Sequence, residues 1–227
     1  FNIPKLKVYK VFFFLKSKIK ILEDIKLNFK GKIALRSSNV FEDKKTTKAG
    51  MFKSYLNINP KNSNDVNNKI LQIIKSYKNY ESKNNEFFIQ EMAKETIYSG
   101  VCFTQNIEEN TPEWKINFTK NQDTTLVTSG RSIVRNINFF ETKKIDFRNK
   151  AFRKLYLIIK KLQKKTKIEA LDVEFAISKK NKISILQVRE LPNLNKRKNN
   201  FEKKKFFLKY KNLEKKIIKL KKKNPNQ

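Results

Sequence analysis

The segment LDVEFAISKKNKISILQVREL, residues 171–191, carries the clearest pattern in this chain of 227 residues. Asp172 and Glu174 alternate with apolar residues, four polar residues follow at 179–182, and a second alternating run closes the segment. Successive side chains of a strand point to opposite faces of a sheet, so this pattern predicts a β-hairpin with one polar and one apolar face.

The predicted hairpin brings four polar side chains onto one face. With a turn at Lys180-Asn181, Glu174 pairs with Gln187, and Asp172 pairs with Arg189. Oxygen donors beside an arginine suit a metal–nucleotide site, whereas a plain ion pair between Asp172 and Arg189 is the simpler alternative. The opposite face is predicted to form a core layer from Val173, Phe175, Leu186 and Val188.

Working outward, the rest of the chain mixes strand and helix patterns. Short runs rich in β-branched and aromatic residues predict strands at 33–35, 87–92, 99–104, 114–118 and 124–129. Apolar residues at helical spacing predict helices at 5–29, 65–80 and 151–165. Residues 51–58 fit either a strand or the start of a helix. The sequence therefore predicts an α+β fold.

The composition excludes several kinds of catalytic site. The chain has no histidine, which excludes Ser-His-Asp and Cys-His catalysis, histidine metal ligands and phosphorelay through a histidine of its own. Its one cysteine, Cys102, excludes internal disulfides and Cys-rich zinc sites. The four glycines do not form a P-loop or a Rossmann glycine motif.

The positive charge is the most unusual feature of the composition. Lys and Arg total 53 against 21 acidic residues, giving a net charge of +32. This excess could form a polyanion-binding surface, or it could reflect a coding bias that also enriches Asn, Ile and Phe. Because nearly all of it is lysine rather than the arginine favoured for base recognition, we prefer the compositional explanation and expect no nucleic-acid partner.

Two observations concern location and the end of the sequence. The longest apolar run, residues 11–15, is too short to span a membrane, so we expect a cytoplasmic protein. Residues 196–227 place apolar side chains at helical spacing among lysines, which predicts either a solvated linker helix or a helix that binds an acidic surface. These apolar residues are Phe206, Tyr210, Leu213, Ile217 and Leu220.

Several blocks of sequence resemble one known family. The segments IALRSSNVFED at 33–43 and AGMFKSYLN at 49–57 look like the nucleotide-binding domain of the phosphoenolpyruvate synthase and pyruvate phosphate dikinase family. Three further blocks follow in the family's order: FIQEM at 88–92, SGVCFT at 99–104, and DVEF at 172–175 with ILQVR at 185–189.

The resemblance implies an ATP-grasp fold, in which two subdomains with mixed or antiparallel sheets clasp ATP. Residues 1–82 would form the N-terminal part, truncated relative to the family, and residues 83–192 the C-terminal part. Residues 193–227 would form a Lys-rich helical tail or linker. The implied cofactors are ATP and Mg²⁺.

The resemblance also implies roles for individual residues. Arg36 and Arg189 would be catalytic, and Asp172, Glu174 and Gln187 would bind Mg²⁺. Contacts with ATP would come from Arg36, Ala49, Gly50, Gln90, Glu91, Met92 and Thr104.

Simpler alternatives exist for some of these residues. Arg36 could form a surface ion pair with Glu42 or Asp43, Gly50 could be an ordinary loop glycine, and Met92 could only pack in the core.

The family transfers a phosphoryl group from ATP to a histidine on a separate domain. That histidine then phosphorylates pyruvate or another small acceptor. The resemblance implies an ATP-dependent phosphotransferase of the kinase or dikinase type. Since this chain has no histidine, the histidine that accepts the phosphoryl group would lie elsewhere. Its partner would be a phosphohistidine-bearing domain of a longer enzyme, or a separate protein. The alternatives are a non-catalytic nucleotide-binding remnant and a Lys-driven polyanion binder.

The chain departs from the family pattern at four places. Residues 1–32 contain no counterpart of the family's Gly-Gly-Lys-Gly segment, and Lys48 stands where an aromatic residue is usual. Residues 117–123 lack the expected glycines, and Gln105-Asn106-Ile107 replaces an Arg-Asp-Pro-like triplet. These departures concern catalytic competence more than the fold.

Overall fold

The computed structural model describes residues 1–38, 53–77, 85–106, 111–120, 134–141, 147 and 149–191. They form two antiparallel sheets, each covered on one face by helices. The chain therefore has the predicted α+β fold, and each sheet has its own hydrophobic core.

The first sheet has four strands in the order β1-β4-β2-β3, all antiparallel. Its strands are β1 (Leu6–Lys10), β2 (Ile33–Ser38), β3 (Ser54–Ile58) and β4 (Glu86–Glu91). Its helices are α1 (Val11–Lys16), α2 (Lys18–Asn28) and α3 (Ser63–Lys75). The α3 helix begins where the side chain of Asn62 accepts a hydrogen bond from the backbone N–H of Asp65.

The prediction of one helix over residues 5–29 was wrong. Residues 6–10 form β1, which pairs along its length with β4, and Ser17 separates α1 from α2. The physical reason is packing against residues that are far away in the sequence. Tyr9 stacks on Phe87 of β4 with ring centroids 5.5 Å apart and lies in the core. Phe14 meets the edge of the same ring, which anchors α1 on β4.

The first core lies between this sheet and its three helices. Its side chains are almost all aliphatic or aromatic, and most are fully buried. They include Val11, Phe14, Ile25, Phe29, Ile33, Leu35, Ile70, Ile73, Phe87 and Ile89.

The second sheet has five strands in the order β7-β6-β5-β8-β9, also all antiparallel. Its strands are β5 (Thr96–Phe103), β6 (Glu113–Thr119), β7 (Arg135–Phe140), β8 (Leu171–Ser178) and β9 (Ile183–Glu190). One helix, α4 (Lys150–Thr166), packs on its apolar face. The second core includes Cys102, Trp114, Ile116, Phe152, Leu155, Ile159, Val173, Phe175, Ile183 and Ile185.

Most of the predicted strands and helices occur in the structure, with shifted ends. The segment 51–58, predicted as strand or helix, forms β3 from Ser54, and β7 was not predicted at all. The predicted strand at 124–129 and the predicted helix in 196–227 lie outside the described residues.

The β8–β9 hairpin has the predicted register where its polar residues lie. Asp172 faces Arg189 and Glu174 faces Gln187. Beyond them the register shifts by one residue, so that Phe175 faces Ile185 instead of Leu186. The strands end at Ser178 and resume at Ile183, which confirms the predicted turn at residues 179–182, although the loop is longer than the two residues assumed for the register.

This irregularity changes the core face of β9. The prediction placed Leu186 and Val188 in the core, whereas the structure buries Ile183 and Ile185 there. Val188 is 38% exposed. The extra residue Leu186 explains why Ile183 and Ile185 occupy the core face in its place. Val188 still faces Val173 as predicted, but it lies on the edge strand β9.

The two sheets meet along β9. Asn2 forms a parallel bridge with Ser184: its N–H donates to Ile183 O at 2.8 Å, and its carbonyl accepts from Ile185 N at 3.0 Å. Because β4 belongs to the first sheet and β5 to the second, the sheets change between Glu91 and Thr96. The predicted boundary at 82/83 falls outside the described residues and stays a prediction.

None of the helices in these ranges has the length and apolar character that a membrane span requires.

Candidate functional site between the two sheets

Arg36 reaches from the first sheet to the second. On β2 its neighbours Ile33 and Leu35 point into the core, so Arg36 points the opposite way. Its Nη1 donates to Glu174 Oε2 at 2.7 Å and to Gln187 Oε1 at 2.9 Å. The structure thus brings the predicted phosphate ligand and two predicted metal ligands into direct contact.

This contact is largely shielded from water. The side chains of Arg36 and Glu174 are 11% and 23% exposed, so their attraction is screened less than that of a surface pair. Arg36 Nε is buried and has no hydrogen-bond partner in the described part of the chain. The alternative partners Glu42 and Asp43 lie outside the described residues. Arg36 therefore retains an unused donor at the junction of the sheets.

A small, mostly apolar cleft opens beside Arg36, with room for about one water molecule. Gln90 of β4 is paired with Ala34 of β2, and its Nε2 donates to the backbone oxygen of Leu186 at 3.1 Å. Leu186 is the extra residue of β9, so the bulge in this strand faces the cleft. Besides Arg36, Gln90 and Glu91, the lining residues are Ala34, Leu56, Met92, Ala93 and Leu186.

The predicted adenine segment therefore borders this cleft. Gln90 is almost fully buried, and Glu91 and Met92 are partly buried. The backbone N–H groups of Glu91 and Met92 already donate to Lys5 O and Lys32 O, each at 2.9 Å. Their carbonyls and the side chain of Met92 are the groups these residues can offer to a ligand.

Asp172 is a partly buried carboxylate that forms no salt bridge with any described residue. Its Oδ1 has no hydrogen-bond partner among the described residues. Burial raises the pKa of Asp172 to about 6; repulsion from Glu174 adds to the rise, and Arg189 opposes it. Arg189 lies opposite Asp172 on β9, yet no salt bridge joins the two side chains in the described part of the chain. The simple ion-pair explanation of these two residues is therefore not supported.

The donor set fits a hard divalent cation that is completed by a ligand. Asp172 and Glu174 supply carboxylate oxygens on one face, and Gln187 supplies an amide oxygen beside them. The orphaned Oδ1 of Asp172 would gain a partner from such an ion. In the described ranges no group of three or more His, Cys, Asp or Glu could hold a metal. A small set of two carboxylates and one amide oxygen is typical of Mg²⁺, which keeps waters and substrate phosphates as its other ligands.

Of the remaining predicted ligands, the structure describes Thr104 and does not bring it into the cleft. Thr104 is buried, and its hydroxyl donates to Glu169 O at 3.1 Å and accepts from Leu171 N at 2.8 Å. That hydroxyl is therefore hydrogen-bonded to the backbone at the start of β8, and Thr104 does not line the cleft. Ala49 and Gly50 lie outside the described residues, so their predicted contacts stay a prediction.

Leu56 and Leu186 line the cleft, although neither was predicted to do so. Leu186 was assigned to the core, because the alternating pattern of β9 gives no sign of an extra residue. Leu56 lies on a segment whose secondary structure the sequence left open.

Comparison with known proteins finds similarity only at the level of structure. No protein-family model and no curated protein matches the chain. D-alanine–D-alanine ligase from Helicobacter pylori is 13% identical with a TM-score of 0.48, covering 84% of this chain and 50% of the ligase. D-alanyl-alanine synthetase A from Vibrio cholerae is 9% identical with a TM-score of 0.47, covering 86% and 52%.

N5-carboxyaminoimidazole synthetase from Staphylococcus aureus, in complex with ADP, is 11% identical with a TM-score of 0.38, covering 85% of this chain and 40% of that protein. The chain spans about half the length of these solved structures, or less.

Proposed function

We propose that the chain is an ATP-grasp-like domain that binds Mg-ATP in the cleft between its two sheets and passes the terminal phosphoryl group onward. The observation that carries this proposal is the contact of Arg36 with Glu174 and Gln187 beside an apolar cleft. A cationic fork, oxygen ligands and an apolar slot are the three parts that a bound nucleotide with its metal requires.

The base would occupy the apolar slot, which would have to widen to admit it because it has room for about one water molecule. Ala34, Leu56 and Leu186 offer walls without charge, and Gln90 holds the second sheet in place through Leu186 O. A planar base gains from burial against such walls, while backbone carbonyls at 91 and 92 supply hydrogen-bond acceptors for an exocyclic amine.

The phosphates would lie over the β8–β9 hairpin. Asp172, Glu174 and Gln187 would hold Mg²⁺, which would supply positive charge to offset that of the phosphates. Arg36 would turn from Glu174 toward the phosphates, since its guanidinium matches phosphate oxygens through two parallel hydrogen bonds. Its buried Nε would gain an acceptor in the same movement.

The phosphoryl group would go to a histidine on another domain or chain. The bond between the terminal phosphorus and its bridging oxygen breaks, ADP leaves, a P–N bond forms with the imidazole, and the imidazole loses its proton. Arg36 and Arg189 would stabilise the negative charge that develops on the transferred group. A small acceptor such as pyruvate would then receive the group from that histidine.

A non-catalytic nucleotide-binding module is the second candidate, and one observation favours it. Residues 1–32 form β1, α1 and α2, and their only glycine, Gly31, comes after the helices. These residues therefore provide no glycine-rich phosphate loop near the cleft. Such a module would bind Mg-ATP without transferring its phosphate.

Calorimetric titration with ATP, with and without Mg²⁺ at physiological salt, tests the proposal. We expect micromolar, Mg²⁺-dependent binding that Glu174→Ala abolishes. Glu190→Ala is the matched control, because Glu190 is an exposed carboxylate on the same hairpin outside the polar row. Equal binding by both variants would reject the site. Binding that is insensitive to Glu174 but falls steeply with salt would instead indicate a polyanion binder.

A further inference from the structure

A row of side chains crosses the second sheet from the acidic hairpin to β6. The register pairs Asp172 with Phe103 of β5, Phe103 with Lys115 of β6, and Lys115 with Asn138 of β7. Directly opposed residues of an antiparallel sheet share one face. Lys115 therefore lies on the same face as Asp172, two strands away.

A second row of paired residues runs beside the first on the same face of the sheet. Glu174 is paired with Val101, Val101 with Asn117, and Asn117 with Asn136. The side-chain oxygen of Asn117 is buried and has no partner among the described residues. The polar face of the sheet thus continues past the carboxylates, with an apolar strip of Val101 and Phe103 between its acidic and its Lys/Asn sides.

Lys115 is a half-buried cation whose charge is not matched locally. Within the described ranges it forms no salt bridge or side-chain hydrogen bond, whereas Lys7, Lys94 and Lys160 each contact a carboxylate. The acid nearest in sequence on its own face, Glu113, accepts a hydrogen bond from Asn106 instead. A lysine on the same face as two carboxylates is suited to an anion held between them, once a bound cation offsets the charge of the carboxylates.

We propose that Lys115 binds the third phosphate of the nucleotide and makes the site prefer a triphosphate over a diphosphate. This inference rests on the proposed function. It adds a specificity-determining residue on β6 to the ligands on β2, β8 and β9.

The order of the strands explains why Lys115 meets the last phosphate. The cleft lies at Leu186 of β9, Arg36 contacts β8 and β9, and β6 is two strands beyond β8. Adjacent strands are about 4.8 Å apart, which puts the Cα of Lys115 roughly 10 Å from that of Asp172. The four-carbon stem of lysine would cover about half of that gap by leaning over Phe103, and a metal-bound phosphate would fill the rest.

The test compares the affinities for ATP and ADP, both with Mg²⁺, in three variants. In Lys115→Met the charge is lost at nearly constant size, and Lys115→Arg restores it. Lys120→Met is the matched control, since Lys120 is an exposed lysine directly after β6. AMP serves as a probe of base binding that lacks the outer phosphates.

We expect Lys115→Met to weaken ATP binding about 10- to 100-fold while ADP and AMP affinities change less than about twofold. Lys115→Arg should recover most of the loss, and Lys120→Met should leave the ATP/ADP ratio unchanged. An unchanged ratio in Lys115→Met, or equal losses for ATP and ADP, would overturn the role of Lys115 while the nucleotide site stands. A wild-type chain that binds none of the three nucleotides would overturn both proposals.

Discussion

Arg36 Nη1 lies 2.7 Å from Glu174 Oε2, although the two residues are 138 positions apart and belong to different sheets. The same nitrogen also reaches Gln187. In the ligand-free chain, then, the cation proposed to bind phosphate and the two oxygens proposed to bind Mg²⁺ satisfy one another. A metal and a phosphate that bind together can replace this contact without leaving the charge of Arg36 or Glu174 unpaired. Either one alone would leave one of these two charges without a partner.

A double-mutant cycle should detect this coupling. Arg36→Met and Glu174→Gln are each expected to lower the free energy of unfolding by about 1–3 kcal/mol, because each leaves a partly buried group without its partner. The double variant should lose about 1–2 kcal/mol less than the sum. Urea unfolding followed by circular dichroism gives these values, and strictly additive losses would show that the contact contributes nothing.

The control for this cycle is an exposed pair of the same length. Lys160 Nζ lies 2.7 Å from Glu141 Oε1, with side chains 39% and 37% exposed. Since water screens such a pair, its coupling should stay below about 0.5 kcal/mol. Equal coupling in the two cycles would mean that burial of Arg36 is not what matters.

Asp172→Asn should stabilise the ligand-free chain while it weakens Mg²⁺-dependent nucleotide binding. The pKa of Asp172 is raised from 3.8 to about 6, so the folded state binds this proton more tightly than the unfolded state does. The associated stability is present below pH 3.8 and is lost as the pH rises through about 6. Asparagine avoids that loss, which amounts to roughly 2–3 kcal/mol. Urea unfolding at pH 7.5 and pH 4 should show a gain only at the higher pH, and a loss at pH 7.5 would contradict it.

Mg²⁺-dependent ATP binding should weaken as the pH falls below about 6, the raised pKa of Asp172. A protonated carboxyl no longer attracts the cation, so affinity should drop about tenfold per pH unit below that value. Calorimetry between pH 7.5 and pH 5 measures the slope. Asp172→Asn serves as the control for protonation of ATP itself, and an equal slope in both proteins would exclude Asp172 as the titrating group.

The site hairpin could be predicted because its information is local. Alternation with a period of two fixes which residues share a face, and this was enough to pair Asp172 with Arg189 and Glu174 with Gln187. The extra residue at Leu186 could not be foreseen, since a bulge adds one residue without changing the composition of the strand. That residue nevertheless forms part of the cleft.

The features that the sequence did not reveal depend on distant partners. The apolar residues among 6–10 continue the helical spacing of those that follow. They nevertheless form β1, because β4, about 80 residues later, pairs with them. Arg36 could be placed at the site only through resemblance, because no local pattern connects it with Glu174. Long-range pairing overrides local propensity at both places.

Gly100→Ala should destabilise the chain strongly, whereas Gly31→Ala should be nearly neutral. A Cβ on Gly100 would lie 2.0 Å from Asn117 O and 2.8 Å from Phe118 Cα, so the β5–β6 backbones would have to separate. We expect a loss of roughly 3–5 kcal/mol in urea unfolding. A Cβ on Gly31 would meet only the flexible end of Glu91 at 3.2 Å, for which we expect less than about 0.5 kcal/mol. Similar losses in both variants would mean that β5 and β6 are less tightly packed than the distances at Gly100 require.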